Sequence, residues 1–153
     1  RMVERGRTFP EIARLRDIPG VGPVGAHVFV GFIQDPQRFE RPQQLYRYCR
    51  LGIRERSSDG KPLGHQQLDR NGHGALKAVS YRAWMTAMRQ RRGPVFDFYE
   101  RSCRRSANPL HARLNTQRKV LNTMRCLWQQ QASFDAQRFL GEEASTTAKV
   151  KCD

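Results

Sequence analysis

Apolar residues recur three and four positions apart through most of the chain, the period of a helix rather than the alternation of a strand. The first such stretch runs from Phe9 to Arg16, with Ile12 and Leu15 on one face. A second helix is predicted from Pro23, a residue suited to a first turn because the N–H it lacks has no partner there. Val24, Val28 and Phe32 form its i, i+4, i+8 face, expected to turn inward, and Asp35-Pro36 ends it. A third helix is expected from Pro42 to about Arg50, carrying Leu45, Tyr48 and Cys49 inward.

The pattern breaks at residues 51 to 74. LGIRERSSDGKPLGHQQLDRNGHG is rich in Gly, Ser, Asp, Asn and charge, with turn signals at Asp59-Gly60 and Asn71-Gly72. It reads as a long, partly extended loop or irregular hairpin, and a loop of this length inside a compact domain is usually functional or disordered. Apolar helices on both sides favour function. Helical periodicity then resumes in three stretches. Ala75 to Gln90 presents Leu76, Val79, Ala83, Trp84 and Ala87. Pro94 opens the next, with Val95, Phe98, Tyr99 and Cys103. Leu110 to Gln131 presents Leu114, Val120, Leu121, Met124, Leu127 and Trp128. The end of the chain, residues 141 to 153, has little to bury and is expected to be disordered. The fold class that follows is mainly α within one domain over residues 1 to 140. A helix-hairpin-helix at about 12 to 34 leads to an irregular loop at about 51 to 74, the candidate for function, and a helical bundle at about 75 to 131. The opening at Arg1, with Met2 behind it, reads as a piece of something longer.

Charge narrows the function. The 153 residues contain 28 Lys and Arg against 14 Asp and Glu, a formal net charge of +14. An imbalance of this size points to a polyanionic partner, nucleic acid first and an anionic membrane surface second. No run of 18 apolar residues is present and no signal-peptide pattern opens the sequence, so no membrane partner is expected. Cys49, Cys103, Cys126 and Cys152 include no C-x-x-C pair, which suits a reduced, cytoplasmic protein. Together with His27, His65, His73 and His111 they lack the spacing of a zinc site, and no metal is expected in this chain.

Two short stretches carry candidate chemistry. Gly20-Val21-Gly22 joins one predicted helix to the next. Glycines there permit positive φ and close backbone approach, and N–H groups at the turn and the following helix start suit a phosphate oxygen. Gly20, Val21 and Gly22 are therefore candidate contacts to a nucleic-acid backbone; the alternative is that the glycines only allow tight helix packing. The second stretch is Arg54-Glu55-Arg56-Ser57-Ser58-Asp59-Gly60-Lys61, two hydroxyls among three cations. A serine attacking a phosphodiester needs cations to stabilise phosphate charge and a turn to expose its oxygen. It also needs a base, for which His65 is a candidate. The alternative is that the two serines are simply turn formers.

The blocks LRDIPGVGPVGAHVFVGFIQDPQRFERPQQLYRYCRLGIRERSSDGKPLG, LDRNGHGALKAVSYRAW, HARLNTQRKVLNTMRCLW and FD, in this order, resemble the C-terminal transposase domain of the insertion-sequence family one-ten over roughly residues 12 to 135. The resemblance implies a prokaryotic, nucleoid-associated DNA transposase, a recombinase with a serine nucleophile and a structured guide RNA. It implies Ser58 as nucleophile, with Ser57 the neighbouring choice, and Arg54, Arg56, Lys61 and Lys77 around DNA phosphate. Two positions depart from the family pattern: Asp59 stands where the family has Gly, and Lys77 where it has Arg, which keeps charge but loses the bidentate fork. The family also carries an N-terminal nuclease-like domain whose carboxylates hold Mg²⁺. The 14 acidic residues here form no such cluster, so Mg²⁺ is expected from that other domain. DNA, a guide RNA and further copies of the full-length protein are the implied partners. The alternatives are a non-catalytic helix-hairpin-helix binding module, or an inactive remnant in which Asp59 marks decay.

Overall fold

A computed structural model describes residues 9–58 and 61–141, with backbone alone across 54–58 and 61–66. The architecture is mainly helical, with one two-stranded antiparallel hairpin. Helix α1 spans Pro10–Arg16 and α2 spans Pro23–Ile33. A 3-10 turn at Pro36–Arg38 leads to α3, Pro42–Tyr48. Strands β1, Ile53–Ser58, and β2, Lys61–Leu68, form the hairpin. Helices α4 (Gly74–Gln90), α5 (Pro94–Ser106), α6 (Pro109–Gln130) and α7 (Ala136–Leu140) complete the order.

Proline marks the start of α1, α2, α3, α5 and α6, where its fixed φ is already helical. Side chains satisfy first-turn donors where they can. Asn108 accepts from the Leu110 N–H at 2.9 Å, and the Arg41 N–H donates to Gln44 Oε1 at 3.1 Å. The short α7 escaped the periodicity because five residues make little more than one turn. It forms because Asp135 accepts the Arg138 N–H at 2.8 Å and because Phe139 is buried against Phe98 and Phe134.

The long α6 is the centre of the domain. It packs on α5 and α4 and also touches α1, α3 and the 3-10 turn. Val120, Leu121 and Met124 are fully buried, each worth about 1.5–3 kcal/mol of transfer free energy. Trp128 meets Phe29 of α2 with ring centroids 6.4 Å apart.

The inward face of α2 is not the expected one. Ala26, Phe29 and Ile33 are fully buried, whereas Val24 is 56% exposed and Phe32 37% exposed. Every residue of α2 except His27 is apolar or Gly, so apolarity alone could not choose between its faces. Packing on α4 chose: a Cβ on Gly25 would lie 3.3 Å from Val79. The segment read as a loop or irregular hairpin is a hairpin, with Ile53 opposite Leu68, Ser57 opposite Pro62 and Ser58 opposite Lys61. Its register shifts between Glu55 and Ser57, so that Arg56 alone spans the interval filled on β2 by Leu63, Gly64 and His65. The expected disorder at 141 to 153 concerns, beyond Gly141, residues outside those described.

The two glycines of the α1–α2 turn have different duties. Gly20 has φ +85, and a Cβ there would meet the Ala83 main chain at 2.8 Å. Gly22 is extended, with open space at its Cβ position. Gly20→Ala should therefore cost about 2 kcal/mol or more through backbone strain and overlap with α4, while Gly22→Ala should stay within about 0.5 kcal/mol of the parent. Urea unfolding of the two variants, followed by circular dichroism, checks the contrast.

Candidate nucleic-acid interface

An open cleft of about 650 Å³ lies where the hairpin rejoins the helices. Its walls are Gln67 and Leu68 at the end of β2, Asp69 and Arg70 in the following turn, Gly74 and Lys77 at the start of α4, and Arg50 after α3. Three cations thus converge with the positive end of a 17-residue helix. Among the described residues none of the three makes an ion pair. The one carboxylate, Asp69, accepts the Asn71 N–H at 3.0 Å and so shapes the turn. The arrangement suits a phosphate group, which can take charge from Arg50, Arg70 and Lys77 together.

The cleft is held open by a clasp at the base of the hairpin. Where the chain leaves for β1, Arg118 of α6 donates from Nε to the Leu51 carbonyl at 2.8 Å, and its second guanidinium nitrogen donates to the same oxygen. Burial pulls the Arg118 pKa below its ordinary value, while the facing Tyr46 phenol pushes it back. The guanidinium also lies 5.3 Å from the Tyr46 ring centroid. Where the chain returns, Arg50 Nε donates to the Gly72 carbonyl at 2.8 Å, and the His73 N–H donates to the Tyr48 carbonyl at 2.8 Å. Between these points the Asp69 N–H donates to the Gly52 carbonyl at 2.8 Å.

Gly72 is required at this clasp. Its φ is +109, and a Cβ would sit 2.5 Å from the Tyr48 carbonyl oxygen. Arg50 itself has φ +58, a strained conformation for a residue with a Cβ. His73, the N-cap of α4, packs at a tilt against Phe32 and Tyr48, with ring centroids 5.0 and 4.5 Å away. The Tyr48 hydroxyl donates to the Phe32 carbonyl at 3.0 Å, which fixes that aromatic layer under the cleft.

The sequence-derived residues fall in three places. Lys77 lines the cleft beside Arg50 and Arg70, two cations that the sequence reading passed over. Their only signal was position, one beside the start of the 51–74 segment and one before Asn71-Gly72. Ser57, Ser58, Arg54 and Arg56 lie on β1 and Lys61 on β2. Ser58 is five residues along β1 from Ile53, about 17 Å at roughly 3.4 Å per residue, so the serines stand at the far end of the hairpin from the cleft. The turn residues Asp59 and Gly60 lie outside the described residues. Gly20, Val21 and Gly22 are on another side of α4: Gly20 abuts Ala83, whereas Lys77 points into the cleft. The Val21 N–H is used within the turn, donating to the Ile18 carbonyl at 3.0 Å.

Among the described residues no group of three or more His, Cys, Asp or Glu is placed to hold a metal ion. Among them also, no helix is long and apolar enough to cross a membrane.

A basic, mainly helical domain with a cation-lined cleft presents a surface suited to an anionic partner. The model of the transposase family IS116/IS110/IS902 matches residues 12–100, more than half of the chain, and the chain belongs to that family. It is a transposase domain, of the class of proteins that recombine DNA. No curated protein matches it. The family match runs from α1 into α5 and takes in the hairpin and the cleft; α6, which supplies Arg118, lies beyond it.

Removing the Arg118 fork leaves the Leu51 carbonyl without its charged donor. Arg118→Met should destabilise the domain by about 1.5–3 kcal/mol, and should lower amide hydrogen-exchange protection in β1 and β2 more than in α5. Exchange measured by mass spectrometry on the variant and the parent reads both effects.

Proposed function

We propose that the chain carries the serine chemistry of DNA transposition. A DNA strand lies along the hairpin, with one phosphate at its tip and another in the cleft. The observation that carries this reading is the projection of the Ser57-Ser58 hairpin from a clasped base lined by Arg50, Arg70 and Lys77. The separation of about 17 Å along β1 corresponds to roughly five base-pair steps of duplex DNA, at 3.4 Å per step. The cleft then holds the strand in register while the tip reacts.

In the reaction, Ser58 Oγ attacks phosphorus and loses its proton to a base, for which His65 on β2 is available. The bridging oxygen leaves as a hydroxyl once protonated. A phosphoserine ester replaces the phosphodiester, so no phosphate ester is lost and the strand can be rejoined to a new end. Arg54, Arg56 and Lys61 would neutralise charge on the attacked phosphate. Gly22 and the start of α2 would contact backbone phosphate as a helix-hairpin-helix does, while Gly20 is committed to packing on α4. Nothing in the described part of the chain fits Mg²⁺. In this reading the ion belongs to a nuclease-like domain, and no step here runs through it. A guide RNA would select the DNA, and several copies of the full-length protein would assemble on it.

Asp59, in place of the family's usual Gly, supports a second reading: a binding domain that has lost the chemistry. The two readings separate on one gel. Full-length protein containing this chain, incubated with labelled DNA, Mg²⁺ and guide RNA, should give a protease-sensitive shifted band on denaturing electrophoresis. Ser58→Ala should abolish the band, and Ser57→Ala should reduce it less. A band that survives Ser58→Ala and vanishes in Ser57→Ala makes Ser57 the nucleophile, and no band in the wild type favours the binding domain.

The chain alone should bind duplex DNA with strong salt dependence and little sequence preference. Replacing Arg70 and Lys77 together by Ala should lower the slope of log K against log salt by about 0.9, the share of the one cleft phosphate that is no longer neutralised. Anisotropy titrations at several salt concentrations give that slope.

A further inference from the structure

The cleft continues along α4 as a stripe of alternating charge and aromatic surface. Lys77, Tyr81 and Trp84 are spaced i, i+4, i+7 and so share one flank of the helix. Tyr81 stands one turn beyond Lys77, about 6 Å along the axis. It is 41% exposed, although it belongs to a helix whose other faces pack against α2, α5 and α6. Trp84 lies beside it with ring centroids 5.5 Å apart, and Tyr99 of α5 supports Trp84 edge-on at 5.8 Å. Arg113 of α6 places its guanidinium 5.9 Å from the Tyr81 centroid and 5.7 Å from that of Trp84. Among the described residues Arg113 makes no ion pair.

Neither the serine chemistry nor the core uses this surface. The exposed Tyr81 ring, backed by the tilted Trp84 ring and with a guanidinium over both, is an ordered aromatic surface open to a planar partner. In duplex DNA the base faces are already stacked on one another, so an aromatic platform is of use only to an unpaired base. The cations beside it exclude a cationic partner and favour a phosphate-bearing one.

We propose that the Lys77–Tyr81–Trp84 flank of α4, with Arg113, is a binding track for single-stranded DNA. The strand's phosphate sits in the Arg50–Arg70–Lys77 cleft, and the next unpaired base stacks on Tyr81 against the Arg113 guanidinium. The choice of DNA as occupant rests on the reading of the chain as a DNA-acting domain. In that reading the track holds a stretch of opened strand at the base of the hairpin, about 17 Å from the reacting phosphate at its tip.

The test uses the 153-residue chain, a labelled oligothymidine, an oligouridine of the same length, and a random-sequence duplex, each titrated by fluorescence anisotropy. Tyr81→Ala should weaken oligothymidine binding by about 5- to 100-fold and leave duplex affinity within about twofold. Tyr81→Phe should restore the single-strand affinity, because stacking needs the ring and not the hydroxyl. Arg113→Gln, which keeps the platform and removes the charge, should also weaken oligothymidine more than duplex. Equal losses on single strand and duplex, or unchanged oligothymidine binding in both Tyr81→Ala and Arg113→Gln, would overturn the track. Tighter binding of oligouridine than of oligothymidine would overturn DNA as its occupant. If the wild type binds duplex but not oligothymidine, the track fails while the transposase reading stands; if it binds neither, the DNA-acting reading fails first.

Discussion

The structure depends on long polar side chains of α6 reaching out to the carbonyl oxygens of irregular segments. Arg118 holds Leu51, Arg125 donates to the Phe39 carbonyl at 2.7 Å, and Gln129 donates to the Pro36 carbonyl at 2.8 Å. The Leu51 and Phe39 oxygens lie in connections without regular hydrogen bonding, and left without partners each would cost about 1–3 kcal/mol; the Pro36 oxygen also takes the 3-10 bond from the Phe39 N–H at 3.3 Å. Arg125 is only 4% exposed and is further oriented by Asn122 at 3.1 Å. An arginine in that setting is tolerated because its donors are spent on the Phe39 carbonyl, the Asn122 amide oxygen and the Cys126 sulfur, rather than left to an empty interior. One helix therefore fastens the 3-10 turn, the approach to α3 and the exit to the hairpin at once.

The consequence for function is a firm base under a projecting element. A two-stranded hairpin is marginal by itself in water. Here both of its ends are tied to helices: Arg118 holds the outgoing strand, Arg50 and the His73–Tyr48 bond hold the returning one, and Gly72 lets the two runs approach closely. The same ties place Arg50, Arg70 and Lys77 around one cleft. Strain at Arg50 and the special backbone at Gly72 are thus concentrated where the cations converge. The helix that supplies the clasp lies outside the segment matched by the transposase family, although the element it steadies lies inside.

Aromatic residues connect the base of the cleft to its flank. Phe32, His73 and Tyr48 form a layer beneath the first turn of α4, and Tyr81, Trp84 and Tyr99 form another a few turns on. Arg38 lies 5.6 Å from Tyr48, and Arg113 covers the second layer. Cations packed on rings keep their charge while losing rotamer freedom.

Helix positions, proline starts, the net charge of +14 and the family resemblance were legible in the sequence, because each depends on neighbours within one turn or on composition alone. The direction of α2 was not: its apolar residues run all round, and the choice of Ala26, Phe29 and Ile33 over Val24 and Phe32 came from the fit against α4 and α6. The duty of Gly20 was equally hidden, since the Ala83 main chain that demands a glycine is 63 positions away. Arg50, Arg70 and Lys77 read as scattered surface charges until the returning hairpin brought them together, and Arg118 and Arg125 as solvated helix positions until loops closed over them. Local sequence determined the longer helical segments and the strongly basic charge of the chain. Tertiary structure alone decided which faces are buried and which cations share a cleft, because both are set by packing between residues far apart in the chain.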